Sequence, residues 1–345
     1  MNRLYKLTLL SIVLSVCLFY FKKRQETTVA MGEGLVIPKE WLITTKHPLT
    51  PAKDVRPADQ TFLTYPEWFL VFSPEEQANY FKQHTASTLS FKSHTRQIWE
   101  SYKIVNDQIK DNFPTNTGYH FMIWVIGTSA TVEYEIKALY ETLVGRITDT
   151  GIPLTDEDKF NAVFTQDYVD FIKDRPWYEF DFKTRLKTLW TGTSFFDSHF
   201  LRKLDRKYLL TSELLVKTVY GKLIGLGTKQ VYEEAVPTTA VILENDSLVY
   251  LPRYDQFANA AVELAKKGHT FKEIAGNKSA ILLTALVDAE NNRLPTIGKL
   301  IFIQPITSHP QTDRLAMTIP VSQLHEILLQ LDGKRDIKIE HVFDY

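Results

Sequence analysis

The strongest constraint on the fold is a change of residue pattern near Pro237. Before it, from about Tyr65 to Glu234, the chain has the apolar spacing and the end signals of helices. After it come short runs rich in β-branched residues, interrupted by helical stretches at 255–267 and 322–331. The sequence therefore predicts an α+β fold: a mostly helical central bundle, then a C-terminal ferredoxin-like α+β sandwich, with an N-terminal membrane anchor.

The predicted anchor is residues 1–24. Fifteen uncharged residues, Leu7 to Phe21, lie between basic residues on both sides. As a helix they cover about 22 Å, which is short for a hydrocarbon core of about 30 Å, but lysine and tyrosine side chains at the ends can extend the span. A cleaved signal peptide and a soluble helix are the alternatives. An uncleaved anchor is favoured because aromatic residues and "KKR" stand where signal cleavage requires small residues.

The anchor predicts a single-pass membrane protein. Its basic flanks nearly balance, and the very short N-terminal tail favours an extracytoplasmic body. The expected partner is membrane lipid, through the anchor, and another membrane-associated protein is a further candidate partner. Nucleic acid is not expected as a partner because the net charge is −1. The single cysteine, Cys17, lies inside the apolar run, so its lipidation stays an open question and no disulfide or cysteine metal site is expected elsewhere.

Three further regions follow the anchor: a proline-rich tether at 25–60, a helical domain at 61–236 and a C-terminal α+β domain at 237–345. In the helical domain, Ser73 and Thr155 are the predicted N-caps of two helices. The second helix is expected to stop before Pro176. The other predicted helices cover Ser90 to Lys110, Tyr119 to Thr148, Tyr178 to Trp190, Ser194 to Lys207 and Ser212 to Gly225.

The segment "HFMIWVIGTSATVEYEIKALYE", His120 to Glu141, is predicted to be a core helix because its uncharged run is too short to be a second membrane crossing. At 100° per residue its apolar side chains share one face, which is expected to pack on the bundle. That face holds Phe121, Met122, Val125, Val132, Ile136, Leu139, Tyr140 and Leu143. Glu133, Lys137 and Glu141 form a second face, predicted to be a solvated ladder of ion pairs.

A third face of the same helix carries His120, Glu135 and Arg146. One interpretation is that these residues are exposed to solvent or paired with residues of neighbouring helices. The other is that they line a polar cleft. In the cleft, Glu135 would act as general acid or base, Arg146 would hold an anion and His120 would move protons. These three residues are the candidate catalytic set.

The stretch "HFLRKLDRKY", His199 to Tyr208, mixes apolar and basic side chains. Between Glu133 and Asp181 there are twelve acidic and five basic residues, whereas Lys183 to Lys229 holds ten basic and three acidic residues. The two halves either neutralise each other, or the basic stretch lies on anionic lipid. The candidate membrane-surface residues are Arg202, Lys203, Arg206 and Lys207.

No metal site or cofactor is expected, because the histidines lack ligand spacing and the chain has no HExxH, GxGxxG, GxSxG or phosphate-loop motif. Asp167, Asp170 and Asp174 share one helical face, as the magnesium-binding aspartates of isoprenoid synthases do. A second acidic motif is not evident, and a solvated face is preferred.

Two functions are compatible with the sequence. The first is a membrane-anchored binding or assembly protein that works at a membrane surface. The alternative is an enzyme whose helical domain acts on a lipid-like or anionic substrate by acid–base chemistry. Whether the protein is an enzyme is left open by the sequence alone.

Overall fold

The computed structural model describes residues 37–43, 48–149, 151, 153–194, 198–228, 238–290 and 297–345. The chain divides into two compact units, Met1–Met31 and Gly32–Tyr345. The first unit, with the predicted anchor and Cys17, lies outside the described residues. The predicted tether is described from residue 37 onward, except at 44–47.

The fold is α+β, as the sequence predicts. The described residues form eight helices of eight or more residues: α1 Gln60–Phe81, α2 Phe91–Ile109, α3 Thr117–Tyr140, α4 Asp156–Ile172, α5 Phe182–Gly192, α6 Phe200–Thr228, α7 Asp255–Lys266 and α8 Leu324–Leu331. They also form seven strands: β1 Thr238–Leu243, β2 Leu248–Pro252, β3 Phe271–Ile274, β4 Ala280–Asp288, β5 Lys299–Pro305, β6 Thr312–Pro320 and β7 Ile337–Val342. None of the described helices is both long and apolar enough to cross a bilayer.

The strands make two antiparallel sheets, with the orders β2-β1-β3 and β5-β6-β4-β7. Side chains alternate across each strand, so β6 sends Leu315, Met317 and Ile319 into one core, which also holds the apolar sides of α7 and α8. The opposite face of β6 carries Arg314, and this face looks toward α1, where the guanidinium lies 3.9 Å from the Phe72 ring. The larger sheet therefore lies between α7 and α8 on one side and α1 on the other.

Helix α1 begins earlier than the sequence predicts. Ser73 and Pro74 are interior residues of α1 and do not start a helix, and Pro66 is interior as well. A proline inside a helix removes one backbone hydrogen bond and costs about 3 kcal/mol. Burial offsets this cost, because α1 is enclosed on most sides and Phe62, Leu63 and Tyr65 have no exposed surface.

Other helix ends agree with the predictions or shift by a few residues. Thr155 is the N-cap of α4, as predicted, and it forms a capping box with Asp158. Helix α3 continues through a π-helical turn, Glu141–Gly145, into a short helical end at Arg146–Thr148. The two helices predicted within 194–225 are one helix, α6.

Contacts join the first helices to the sheets. The Tyr65 hydroxyl donates to Gln304 Oε1 at 2.6 Å, and the Thr61 hydroxyl donates to the Phe343 carbonyl at 2.8 Å. Gln97 in α2 donates to the Pro305 carbonyl at 2.8 Å. The predicted boundary between residues 236 and 237 stays a prediction, and residues 229–237 lie outside the described part.

Candidate functional site

Helix α3 has the opposite orientation to the one predicted. Its apolar face points outward: Phe121 and Ile136 are 71% and 61% exposed, and Val125, Val132, Leu139 and Leu143 are also exposed. The buried residues of α3 are Ile123, Gly127 and Tyr134. The prediction that the apolar face packs on the bundle is therefore wrong.

Glu133 and Lys137 of the predicted solvated ladder instead belong to a cluster of paired charges between α3 and α6, and Glu141, the third member, is buried against Arg206. Lys137 Nζ lies 2.9 Å from carboxylate oxygens of both Glu133 and Glu213. Lys217 Nζ lies 3.2 Å from Glu133 and 2.9 Å from Glu213. Each carboxylate therefore meets two ammonium groups, and each ammonium meets two carboxylates. We call these four residues the charge quartet.

The lysines of the charge quartet hold its carboxylates in the ionised form. Burial alone would raise the pKa of Glu133, but Lys137 and Lys217 outweigh burial and lower it to about 2. The pKa of Glu213 is lowered by the same two lysines against the same opposing effect of burial. The quartet is therefore fully charged at neutral pH.

A second ionic cluster lies at the other end of the α3–α6 contact. Arg206 donates to both carboxylate oxygens of Glu141, at 2.6 and 3.1 Å, and also to Asp205 at 2.9 Å. Arg202 donates to Asp158 at 3.1 Å and to the Gly145 carbonyl at 3.1 Å. Since α3 residues of rising number meet α6 residues of falling number, the two helices are antiparallel.

The four predicted membrane-surface cations are inside this region. Arg202, Lys203, Arg206 and Lys207 are all 5% exposed or less. Lys207 Nζ lies 3.7 Å from a carboxylate oxygen of Glu157, and Lys203 Nζ lies 3.9 Å from Asp156. Binding of these four side chains to anionic lipid does not agree with their burial, because a cation that pairs with lipid must be at the surface. The alternative, mutual neutralisation of the acidic and basic halves, agrees with these pairs.

Helix α6 has the same inverted arrangement as α3. Five of its six cations, all except the exposed Lys222, face inward, while large apolar side chains face outward. The outward side chains are Phe200, Leu201, Leu204, Tyr208, Leu215, Val216, Val219, Tyr220, Leu223 and Leu226. We call the outward apolar side chains of α3 and α6 the apolar faces.

The three candidate catalytic residues are not brought together. His120 Nδ1 lies 3.0 Å from the Tyr102 hydroxyl near the start of α3. Glu135 Oε2 lies 3.7 Å from Lys92 Nζ, and the side chains of Lys92 and Glu135 are 35% and 45% exposed. Arg146 donates to the Ser87 carbonyl at 3.4 Å. Fifteen helical residues separate His120 from Glu135, about 22 Å along the axis, so the two cannot act on one small group.

This placement gives a direct prediction for Glu135. Changing Glu135 to glutamine should lower the free energy of unfolding by less than about 1 kcal/mol, since half-exposed ion pairs contribute little. Chemical denaturation of the full chain measures this change. A loss of several kcal/mol would contradict the exposed position of the Glu135–Lys92 pair.

A cleft of about 830 Å³ lies between α1, α7 and the larger sheet. Glu76 and Arg314 line it, and both side chains are almost fully buried. Arg314 pairs with Glu340 through two hydrogen bonds of 2.7 and 2.8 Å. Glu76 Oε2 accepts a hydrogen bond from the Thr307 amide at 3.0 Å, and Glu76 Oε1 lies 3.6 Å from Arg314 Nη1.

Burial raises the pKa of Glu76 to about 7, although Arg314 acts in the opposite direction. A carboxyl group with a pKa near neutrality can both accept and donate a proton at physiological pH. His94, a fully buried residue of α2, has no hydrogen-bond partner among the described residues. Burial first, and then Arg314, lower the pKa of His94 to about 3, so it is neutral.

Sequence reasoning missed the cleft. Glu76 and Arg314 are 238 positions apart in the chain, and no local pattern connects them. A signal was present in "RLAMTIPV", where Arg314 stands in the alternation of a buried strand. A charged residue at such a position requires a buried partner.

The acidic face of α4 is used in a structural contact. Asp167 pairs with Arg185 at 2.7 Å. Among the residues that the structure describes, no group of three or more histidine, cysteine, aspartate or glutamate side chains is placed to hold a metal ion.

Comparison of the chain with models of protein families, with curated proteins and with solved structures found no match.

Proposed function

We propose that the protein is a membrane-anchored binding or assembly component, and that the apolar faces of α3 and α6 contact the acyl chains of lipid. The observation that supports this proposal is the inverted arrangement of the two helices, with paired charges inside and large apolar side chains outside. In water this arrangement is unfavourable, since exposed apolar area costs about 25 cal/mol per Å². In lipid the same faces are matched to their surroundings, and the charges remain paired away from the acyl chains.

The rest of this proposal comes from the sequence. The predicted anchor at 1–24 would hold the chain at the membrane in a single pass, and the body would lie on the extracytoplasmic side. Another membrane-associated protein is a further partner in this proposal. The ferredoxin-like type of the C-terminal part is also kept as a proposal, supported by α7 and α8 packing against the sheets in one core.

Cysteine labelling tests the lipid contact. The full chain with Cys17→Ser would carry a single new cysteine at Ile136, an exposed position on the apolar face of α3. In freeze–thawed vesicles of phosphatidylcholine and phosphatidylglycerol, a charged maleimide should label this cysteine at least tenfold more slowly than one placed at Leu329. Leu329 is the control because it is an exposed leucine, 45% accessible, on α8. Equal labelling rates at the two positions would contradict the proposed lipid contact.

A second candidate function is acid–base catalysis in the cleft. It keeps the enzyme alternative but replaces Glu135 by Glu76, because Glu76 is the buried carboxyl beside Arg314 whose pKa is raised to about 7. A ¹³C titration of the full chain, with glutamate labelled and Glu76→Gln used for assignment, should show one carboxyl that titrates between about pH 6 and 8. If the signal lost in Glu76→Gln titrates near pH 4.5, this candidate is eliminated.

A further inference from the structure

A groove of about 530 Å³ opens beside the first turns of α3. Four of the side chains that line it have aromatic rings: Tyr102, His120, Phe121 and Trp124. Valine, threonine and serine complete the described lining, so no carboxylate, ammonium or guanidinium group is among the described residues of its wall. The groove is thus an aromatic surface whose only basic side chain is the imidazole of His120.

The rings are held in place before any ligand arrives. The Trp124 ring meets the Trp99 ring edge to face, with centroids 5.4 Å apart. Trp99 is itself fixed, because its Nε1–H donates to Thr131 Oγ1 at 2.9 Å. Its ring also lies against Gly127, where an added Cβ would come within 3.1 Å. Tyr102 is tied to His120 by their hydrogen bond of 3.0 Å. Such preorganisation lowers the entropy cost of binding.

The groove is continuous with the apolar face of α3. Phe121 and Val125 belong to both, and Trp124, which lines the groove, is 57% exposed. Tryptophan and tyrosine are favoured where a protein surface passes from acyl chains to lipid headgroups, because each has an apolar body and a polar tip. A lipid whose acyl chains lie along the apolar face would therefore bring its headgroup to this groove.

The chemistry of the wall selects among headgroups. The faces of aromatic rings attract cations, and a quaternary ammonium needs no hydrogen-bond acceptor, so a wall of rings can replace its water. An anionic headgroup would need a fixed cationic partner, and the only basic side chain of the described wall is His120, whose Nδ1 is already engaged with the Tyr102 hydroxyl. We propose that this groove binds the trimethylammonium group of a choline lipid whose acyl chains contact the apolar face. This inference rests on the proposed lipid contact and names the lipid.

Lipid selectivity measured by electron paramagnetic resonance tests the inference. The full chain in phosphatidylglycerol vesicles would receive trace phosphatidylcholine, phosphatidylethanolamine or phosphatidylglycerol, each spin-labelled at the same acyl carbon. The protein-associated fraction of the choline lipid should correspond to an association constant roughly three- to tenfold above those of the other two. Added tetramethylammonium chloride should reduce this excess, since it supplies the same cation without acyl chains.

Matched tryptophan variants separate the groove from general effects. Trp124→Leu keeps an apolar side chain but removes the ring, so the choline preference should disappear. Trp190→Leu is the control, because Trp190 is 51% exposed on α5, outside the groove; the preference should persist in it. Equal association of the three lipids, or an equal loss in both variants, would overturn the inference. Slow maleimide labelling at Ile136 alongside equal lipid association would overturn the headgroup assignment and leave the proposed lipid contact intact.

Discussion

Replacing Arg206 by methionine should lower the free energy of unfolding by about 3 to 5 kcal/mol, because it leaves buried carboxylates without their cation. Glu141 and Asp205 both accept hydrogen bonds from this guanidinium, and both are almost fully buried. Burial already raises the pKa of Glu141 in spite of Arg206, so loss of the cation would raise it further. Denaturant unfolding of the full chain in maltoside micelles measures the change.

Two variants make the Arg206 result specific. Arg146→Met removes an exposed arginine near the end of the helical segment that carries Glu141, and the expected change is about 0.5 kcal/mol or less. In the double variant Arg206→Met with Glu141→Met, the free energy of unfolding should fall by less than the sum of the decreases in the two single variants. The reason is that the carboxylate of Glu141 is removed together with the cation that compensates it. A loss below about 1 kcal/mol in Arg206→Met would contradict a buried ionic contact between α3 and α6.

Replacing Glu76 by glutamine should stabilise the protein at pH 8 relative to the parent, by an amount on the order of 2 to 3 kcal/mol. The reason is that burial raises the pKa of Glu76 from 4.5 to about 7. The folded state therefore binds this proton more tightly than the unfolded state does. As the pH rises from about 4.5 to about 7, the folded parent loses stability through this group, and above about pH 7 the loss is complete.

Glutamine at position 76 stays neutral, so the variant does not lose stability as the pH rises. Near pH 4 its free energy of unfolding should equal that of the parent. The measurement is denaturant unfolding at several pH values between 4 and 8. Glu75→Gln is the matched control, since Glu75 is the neighbouring residue but lies at the edge of the cleft in an ion pair of 2.7 Å with Lys173. The Glu75→Gln substitution should change the free energy of unfolding only slightly. A pH-independent difference between Glu76→Gln and the parent would show that Glu76 ionises normally.

Local signals in the sequence predicted much of the secondary structure. The capping box at Thr155 depends on residues three positions apart, and Pro176 disfavours a helical conformation at the residue before it, so the start and the approximate end of α4 can be predicted from neighbouring residues. The start of α1 could not be read in this way. Ser73 followed by Pro74 has the local pattern of a helix start, but tertiary burial carries α1 through Pro74.

The predicted orientation of α3 was wrong for a different reason. A helical wheel shows which residues share a face, but it does not show which face is buried. The wheel correctly grouped Glu133 and Lys137, and their partners, Glu213 and Lys217, come from a helix about 80 residues later. Because the charges of each helix are satisfied by the other, the polar faces are inside and the apolar faces are left outside.

The cleft shows the same limit. Glu76 in α1 and Arg314 in β6 meet through the docking of a helix on a sheet, and nothing local to either residue specifies that docking. What the sequence can show is that Arg314 stands in an apolar strand and must find a partner. The identity of that partner is a property of the three-dimensional fold.

The most direct test of the central claim, lipid contact by α3 and α6, is the environment of a spin label on α6. The full chain with Cys17→Ser would carry the label at Val216, which is 66% exposed on the apolar face, or at Leu329 as the control. In vesicles of phosphatidylcholine and phosphatidylglycerol, the label at Val216 should collide often with oxygen and rarely with a water-soluble nickel complex, whereas the label at Leu329 should show the reverse. Frequent nickel collisions at Val216, equal to those at Leu329, would contradict the claim.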